Sequence, residues 1–259
     1  MRKKISIIIP ILNEEKNILL LVTKIKDNLT ETSFEIIFVD DNSTDNSHII
    51  LNNLKNNLKF LKYIIRKNKK KDLTQSCFDG LKIASYNNVL IMDGDLQHNP
   101  KYIKKMLHKL TKEKLDLVVA ARNFKKKILG LSFFRKISSI IIKDIIIFFF
   151  GKKTEDPMSG FFIFKKNIYK NNKSNYFGMG YKILCDFLYN SDRKLKVKDY
   201  FIQFDARSQG KSKMNFNILI KIMLFIIFTL KRKLLGIIIF NYNKLLQKII
   251  FFFKKIFYK

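Results

Sequence analysis

Short apolar runs alternate with longer mixed segments through the first half of the chain. The runs at 5–9 and 36–39 are apolar on both faces, which is typical of parallel strands covered by helices. The predicted elements are strand Ile5 to Pro10, helix Glu15 to Leu29, strand Glu35 to Asp40, helix Asp45 to Asn56, strand Leu61 to Arg66, helix Leu73 to Ser85 and strand Asn88 to Asp93. This repeated βα pattern predicts an α/β fold with a mostly parallel sheet.

The pattern continues with a helix from Pro100 and a strand from Leu115 to Ala121, and it changes after Arg122. Residues 128–150 mix apolar runs with charged residues and never reach the roughly 18 uncharged residues of a membrane span. We therefore expect interfacial helices there, within a main domain covering residues 1–215.

Residues 216–259 form a basic, apolar tail in which short apolar stretches are framed by lysines. Such stretches favour helices that lie in a membrane surface, where the lysine stems are buried and the ammonium groups reach the lipid head groups. A buried terminal pair of helices and a tight hairpin of two spans are the alternatives.

Composition adds a strong charge signal, since 51 Lys and Arg against 21 Asp and Glu give a net charge of +30. This excess implies a polyanionic partner: nucleic acid, an anionic membrane surface or a phosphorylated substrate. An abundance of Lys, Asn, Ile and Phe is also what an AT-rich coding sequence favours. Cys77 and Cys185 indicate neither a disulfide framework nor a zinc site. The N-terminus lacks the apolar core of a signal peptide, so we expect the chain on the cytoplasmic side.

The most informative segment is 89–98, in which an apolar strand is followed by Asp93, Gly94 and Asp95. Side chains at alternate strand positions point the same way, so both carboxylates can reach one ion. Hard oxygen ligands suit Mg²⁺ or Mn²⁺. A plain surface turn uses the same residue types, and His98, which has no second histidine nearby, is expected behind the ligands or at the surface.

Several motifs occur together in one order. They are Ile9-Pro10-Ile11-Leu12-Asn13-Glu14-Glu15, Val39-Asp40-Asp41-Asn42-Ser43-Thr44-Asp45, Met92-Asp93-Gly94-Asp95, Asp156-Pro157-Met158-Ser159-Gly160-Phe161-Phe162 and Arg207-Ser208-Gln209-Gly210-Lys211-Ser212-Lys213-Met214. In order and spacing the chain resembles the family 2 glycosyltransferases of GT-A (Rossmann-like) fold. The last two motifs look like the polyprenyl-phosphate branch, typified by dolichyl-phosphate mannosyltransferase. The resemblance covers roughly residues 5–214 and makes residues 1–215 the catalytic domain.

The resemblance implies where a nucleotide-sugar donor would bind. The implied donor contacts are Pro10, Leu12, Glu14, Asp41, Asp93, Arg207 and Lys213, and the implied metal ligands are Asp93, Asp95 and Gln97. Leu12 stands where an aromatic is frequent, and the segment 69–76 stands where many relatives have a glycine-rich loop. Asn13, Glu14 and Asp45 can also cap helices.

The resemblance also implies where the acceptor phosphate would bind, namely at Arg122, Arg135 and Ser139. It places Asp156 beside the sugar, so that the candidate catalytic set is Asp93, Asp95, Arg122 and Asp156. A departing diphosphate gains charge, which a metal and basic side chains can stabilise. A polyprenyl phosphate is already an anion, so we expect Asp156 to position rather than to abstract a proton.

The predicted function is therefore metal-dependent, inverting transfer of a hexose, with mannose favoured, from a GDP- or UDP-sugar to polyprenyl phosphate at the cytoplasmic face of a membrane. One alternative is transfer to a saccharide hydroxyl, which needs a base. Another is a basic nucleic-acid-binding protein, but no base-reading element is visible and we predict no nucleic-acid partner. A third is a chain that docks through its tail onto a membrane subunit.

Overall fold

The protein is described by a computed structural model that covers residues 3–122, 133–180, 183–203 and 220–238. The chain divides into two compact units, residues 1–214 and residues 215–259. The first unit contains a seven-stranded sheet with the strand order β3-β2-β1-β4-β6-β5-β7. The strands are β1 (Lys4–Ile11), β2 (Ser33–Asp40), β3 (Leu61–Ile65), β4 (Asn88–Ile91), β5 (Leu117–Arg122), β6 (Phe162–Lys165) and β7 (Val197–Ile202).

The sheet is mixed, because β6 runs antiparallel to both of its neighbours, β4 and β5. All the other paired strands are parallel. The helices are α1 (Glu15–Asn28), α2 (Ser47–Asn57), α3 (Leu73–Ile83), α4 (Ile103–Lys112), α5 (Phe133–Phe150), α6 (Asn167–Asn172), α7 (Ile183–Asn190) and, in the second unit, α8 (220–238). The predicted α/β class, with a mostly parallel sheet flanked by helices, is confirmed.

Two predicted boundaries were wrong for a chemical reason. Helix α2 begins at Ser47 rather than at Asp45, because the Asp45 carboxylate accepts hydrogen bonds from the amides of Glu15 and Ser47 at 3.0 Å each. Asp45 therefore caps two helices instead of entering one. Strand β4 ends at Ile91, so Asp93 and Asp95 lie in a turn and the strand alternation that we used for them does not apply.

Apolar side chains from α1, α2 and α4 pack on one face of the sheet and form a continuous core. Helix α3 packs on β1 and β2, and Gly80 lets it come close. A Cβ atom at Gly80 would lie 2.6 Å from Ile8 Cγ2 and 3.1 Å from Val39 Cγ2. This layered packing fixes the strand ends, and with them the loops that carry the motifs.

Helices α5 and α8 both expose large apolar side chains. In α5, Phe148 is 83% exposed, and Ile141 and Phe149 are also exposed. In α8, Ile222, Phe225, Ile226 and Thr229 are buried at helical spacing, whereas Met223, Leu224 and Ile227 are exposed. Within the described ranges, no helix combines the length and the apolar character that crossing a membrane requires.

A buried carboxylate ties β1 and β2 to the segment before β4. Glu35 accepts hydrogen bonds from the Ser6 hydroxyl at 2.6 Å, the Ser85 amide at 2.5 Å and the Ser85 hydroxyl at 3.0 Å. Lys62 Nζ lies 2.7 Å from Glu35 Oε2, the oxygen that also accepts the Ser85 hydroxyl. Burial alone would raise the pKa of Glu35, but the bonds from Lys62, Ser6 and Ser85 outweigh it and lower that pKa.

We predict that Glu35→Gln lowers the free energy of unfolding at pH 7 by about 1–3 kcal/mol, because the amide nitrogen cannot accept these bonds. Since the folded pKa of Glu35 lies below its unfolded value, its contribution is present above the unfolded pKa and is lost as the pH falls through the folded pKa. Urea denaturation should therefore show the difference between the two proteins shrinking as the pH falls below the ordinary pKa of glutamate toward the lower folded pKa of Glu35.

The matched control is Glu31→Gln, which removes an exposed ion pair with Lys104 and should leave stability within about 0.5 kcal/mol. Equal stability of Glu35→Gln and the unchanged protein at pH 7 would contradict the structural role of Glu35.

Candidate active site

The loops after β1 and β2 are joined by their own polar residues. Asn13 has a positive φ of 60°, and its side-chain oxygen accepts the Thr44 amide at 2.8 Å. The Asn13 amide in turn donates to the Ser43 hydroxyl at 2.8 Å. The Glu15 carboxylate accepts the Asn46 amide at 2.9 Å. Asn13 and Glu15 therefore act as structural residues that hold the two loops in a fixed relation.

Of the residues predicted to contact a nucleoside, Pro10 is buried near the end of β1, and Leu12 and Glu14 are half-buried in the loop that follows. Glu14 packs against the turn after β4, because a Cβ atom at Gly94 would lie 3.7 Å from Glu14 Cγ and 2.8 Å from Ile11 Cγ2. The loop after β1 and the turn that carries Asp93 and Asp95 are thus in contact.

Asp41, also predicted to lie near the nucleoside, is buried and forms an ion pair with the buried Arg66. Its second oxygen accepts the Asp72 amide at 2.7 Å. Arg66 also donates through Nε to Asp79 at 3.1 Å. Burial raises the pKa of the Asp41 carboxyl more than the charge of Arg66 and the bond from the Asp72 amide lower it.

Three charged residues around Asp41 were not predicted from the sequence: Arg66, Asp72 and Asp79. Asp72 caps α3 by accepting the Gln75 amide at 3.1 Å, and its other oxygen accepts the Gly180 amide at 2.7 Å. The available signal was a charged residue at the end of predicted strand 3, followed six residues later by an acid before a helix.

The turn after β4 presents two carboxylates in different environments. The Asp93 side chain is 40% exposed, whereas Asp95 is 3% exposed and accepts the Gln97 amide at 3.1 Å. Leu96, which lies between Asp95 and Gln97, has a positive φ of 64°. This conformation is unusual for leucine and folds the turn tightly. Gln97 is half-buried beside this turn.

The donor set fits a divalent metal that completes its coordination with a substrate. Nowhere in the described ranges do three or more His, Cys, Asp or Glu side chains form a metal cluster. Mg²⁺, however, is commonly held by one or two carboxylates together with substrate phosphates. Asp93, Asp95 and the amide oxygen of Gln97 are donors of that hard-oxygen type, and the Asp93 side chain is exposed enough to share a metal ion with a substrate.

The segment 156–160 packs directly against Asp93. A Cβ atom at Gly160 would lie 2.7 Å from Asp93 Oδ2, so only glycine leaves room for the carboxylate. Ser159 donates to the Ala120 carbonyl oxygen at 2.8 Å, which fixes the segment on β5. On the other side of Asp93, its amide donates to His98 Nδ1 at 3.0 Å.

Arg122 and Asp156, both predicted to be catalytic, form a two-bond ion pair. Arg122 donates from Nε to Oδ2 at 2.6 Å and from Nη2 to Oδ1 at 2.9 Å, and the Asp156 side chain is only 1% exposed. Burial would lower the pKa of Arg122, but the Asp156 carboxylate raises it, and the Asp93 carboxylate adds to that effect. Arg122 therefore lies within electrostatic reach of Asp93.

The sequence left open whether Asp186 contacts the sugar or supports the structure, and its observed contacts are structural. It accepts hydrogen bonds from the amides of Phe177 and Gly178 at 2.9 and 2.8 Å and from the Asn190 side chain at 2.8 Å.

Four predicted site residues lie wholly or partly outside the described residues: the side chains of Arg135 and Ser139, and the whole of Arg207 and Lys213. Their predicted contacts with the acceptor and the diphosphate therefore stay predictions.

The sequence profile described as "Glycosyl transferase family 2" matches residues 6–172. A dolichol-phosphate mannosyltransferase from Pyrococcus furiosus is 32% identical over 214 residues, which are 82% of this chain and 59% of that protein. The chain thus spans about three fifths of that relative. A dodecaprenyl-phosphate galacturonate synthase from Rhizobium johnstonii is 27% identical over 212 residues, covering 81% of this chain and 61% of its own length.

Among solved structures, glucosyl-3-phosphoglycerate synthase from Mycobacterium tuberculosis superposes with a TM-score of 0.66 at 18% identity, covering 88% of this chain and 78% of that one. Other crystals of that enzyme contain Mn²⁺ and UDP-glucose. At this identity the likeness shows the fold alone, which is GT-A-like. The profile covers well over half of the chain, and the Pyrococcus furiosus relative supports it, so the chain belongs to glycosyltransferase family 2.

Proposed function

We propose that the protein transfers a hexose, with mannose favoured, from a GDP- or UDP-sugar to polyprenyl phosphate, with inversion at the anomeric carbon. The names of the relatives support the acceptor class, since one is a dolichol-phosphate and the other a dodecaprenyl-phosphate enzyme. The mannosyltransferase relative supports the choice of sugar. Residues 1–215 are the catalytic domain of this proposal, and 216–259 the membrane-associating tail.

The observation that carries the proposal is the Arg122–Asp156 ion pair. Both Asp156 oxygens are engaged by one guanidinium, and the side chain is buried. A general base has to reach the proton that it removes, within about 2.6–3.2 Å. In this arrangement Asp156 is a poor base, which disfavours a hydroxyl acceptor and favours one that is already an anion.

The reaction then balances without a proton transfer. An acceptor phosphate oxygen forms a bond to the anomeric carbon from the face opposite the leaving group, and the bond from that carbon to the diphosphate breaks. The electron pair of the broken bond goes to the diphosphate. A divalent metal, when bound by Asp93, Asp95 and Gln97, supplies Lewis-acid stabilisation of the charge gained by the diphosphate.

The chain's own residues supply the rest. The loop of Pro10, Leu12 and Glu14 with nearby Asp41 binds the nucleoside. Segment 156–160 holds the Asp93 carboxylate in place through Gly160. Arg122, fixed by Asp156, adds positive charge beside Asp93, where the phosphates of donor and acceptor meet.

A lipid acceptor requires contact with a membrane, for which α5 and α8 are the candidates. Exposed Phe148 and Phe149 on α5 and the exposed apolar residues of α8 can enter the interface. Lys231, Arg232 and Lys233 then meet anionic head groups. Arg135 and Ser139 on α5 remain the proposed acceptor-phosphate contacts, and the cytoplasmic orientation and a membrane-subunit partner remain predictions.

The first test is incubation with Mg²⁺ or Mn²⁺, a short-chain polyprenyl phosphate and a panel of GDP- and UDP-hexoses, followed by mass analysis of the lipid. We expect one donor to give polyprenyl-phosphate hexose. Asp95→Ala should lower the rate at least about 100-fold, because one hard-oxygen metal ligand is lost. The matched control, Asp27→Ala, alters an exposed helix residue and should retain full activity. Donor hydrolysis without lipid product would contradict the acceptor assignment.

A second prediction concerns the role of Asp156. Asp156→Asn and Arg122→Gln should each slow transfer to polyprenyl phosphate, because each leaves a buried partner unpaired. The double variant should lose less transition-state stabilisation than the two single variants lose together. The difference, which is the coupling free energy, should be at least about 1 kcal/mol. The measurement is a double-mutant cycle on kcat/KM, with melting temperatures to separate misfolding.

A catalytic base at position 156 would give different kinetics. For a proton-abstracting Asp156, Asp156→Asn should reduce kcat by about 10²–10⁴ in either background, with donor binding unchanged. That result would contradict the ion-pair interpretation and favour a hydroxyl acceptor.

A third prediction concerns membrane association through the tail. Reversing Lys231, Arg232 and Lys233 to Glu in the full chain should weaken binding to phosphatidylserine vesicles by about 100-fold or more, at about 1 kcal/mol for each basic residue. Co-sedimentation measures it. Reversing Lys16, Lys26 and Lys59, exposed residues of the first unit, is the control with the same change in net charge. Equal loss in both variants would show a nonspecific charge effect instead.

A further inference from the structure

His98 is a buried polar residue at the centre of the candidate site. It is 2% exposed, and its ring stacks on Phe161 with centroids 5.1 Å apart and planes inclined by 20°. A polar ring in such a position needs hydrogen-bonding partners. Two of its polar contacts are with Asp93.

The first contact is with the backbone of Asp93, whose amide donates to His98 Nδ1 at 3.0 Å. An accepting nitrogen carries no proton, so the proton of the ring lies on Nε2. The second contact is with the side chain, since Nε2 lies 3.7 Å from Asp93 Oδ2. The ring thus supports the backbone of Asp93 and places a positive N–H dipole beside its carboxylate.

The backbone contact closes a six-residue turn that includes a costly conformation. The turn runs from Asp93 to His98, and Leu96 within it has a positive φ of 64°. A bulky residue in this region costs on the order of 1–3 kcal/mol and persists only where surrounding contacts hold it. The Asp93–His98 bond and the bond from the Gln97 amide to Asp95 are two such contacts.

The ring also joins this turn to the segment that carries Asp156. Phe161, on which His98 stacks, directly follows Gly160, whose backbone lies against the Asp93 carboxylate. Asp93 is consequently held between His98 on one side and Gly160 on the other. Its carboxylate is the more exposed of the two in the turn and the one that can face a metal-bound diphosphate.

We propose that His98 is a positioning residue for the metal ligand Asp93. It fixes the backbone of the turn through Nδ1, whereas Nε2–H, at 3.7 Å from Oδ2, is beyond hydrogen-bond length and adds only a weak electrostatic contact. The inference rests on the proposed metal site and assigns no metal contact to His98 itself. Groups that orient a metal-binding carboxylate in this way contribute about 10–100-fold to metal affinity.

Three substitutions separate the contacts of the ring. His98→Asn puts an amide oxygen near the position of Nδ1 and keeps the acceptor for the Asp93 amide. His98→Gln reaches toward the position of Nε2 and loses that acceptor. His98→Phe keeps the stacking on Phe161 and loses both nitrogens. His108→Asn, on the exposed face of α4, is the control.

The measurement is the dissociation constant of Mn²⁺ with GDP or UDP present, from electron paramagnetic resonance of the free ion, together with melting temperatures without metal. We expect His98→Gln and His98→Phe to weaken Mn²⁺ binding by about 10–100-fold. His98→Asn should retain binding within about threefold, and His108→Asn should match the unchanged protein.

Equal Mn²⁺ affinity in all the variants would overturn the proposal. So would a loss of Mn²⁺ affinity that follows the fall in melting temperature, whether or not the variant keeps the hydrogen-bond acceptor for the Asp93 amide. If His98→Phe does not fold, the comparison of His98→Asn with His98→Gln tests the proposal. Both variants carry a side-chain amide, and they differ only in the position that this amide reaches. The titration contains no sugar and no lipid, so failure of the proposed transfer reaction leaves its outcome intact. Absence of Mn²⁺ binding in the unchanged protein would instead overturn the proposed metal site.

Discussion

The ion pair between Arg122 and Asp156 joins the end of β5 to segment 156–160, which leads into β6. Buried charges persist only when they are paired and hydrogen-bonded, and here two bonds at 2.6 and 2.9 Å meet that requirement. The segment held by this pair carries Gly160 and Phe161, which contact Asp93 and His98. The geometry of the proposed metal-binding turn therefore depends on a pair of residues outside that turn.

The same pair sets the chemistry that the site can perform. Both Asp156 oxygens accept hydrogen bonds from Arg122, so neither is free to take a proton from an acceptor. In the proposed reaction the anionic acceptor brings its own nucleophile, so the site needs only to bind phosphates and to stabilise a departing diphosphate. The strongly basic character of the chain, with a net charge of +30, suits two phosphorylated substrates and an anionic membrane surface.

Much of the first unit could be predicted from the sequence, because the strands are apolar on both faces and the motifs follow them at regular intervals. The antiparallel strand β6 was not predicted, since Phe162–Lys165 is short and its direction depends on pairing with distant β4 and β5. Arg66 and Asp72 were missed because their partners, Asp41 and Gly180, lie 25 and 108 residues away. The turn at Asp93 was misread as strand, because the positive φ at Leu96 leaves no mark in a pattern of apolar residues.

In the proposed transfer, a phosphate oxygen of the acceptor becomes the oxygen on the anomeric carbon. The test uses polyprenyl phosphate whose three non-ester phosphate oxygens are labelled with ¹⁸O, followed by isolation of the intact product and counting of its ¹⁸O atoms by mass. We predict that the product keeps all three labelled oxygens, one of which links the sugar to phosphorus. An unlabelled linking oxygen, or a sugar attached anywhere other than to the phosphate, would contradict it.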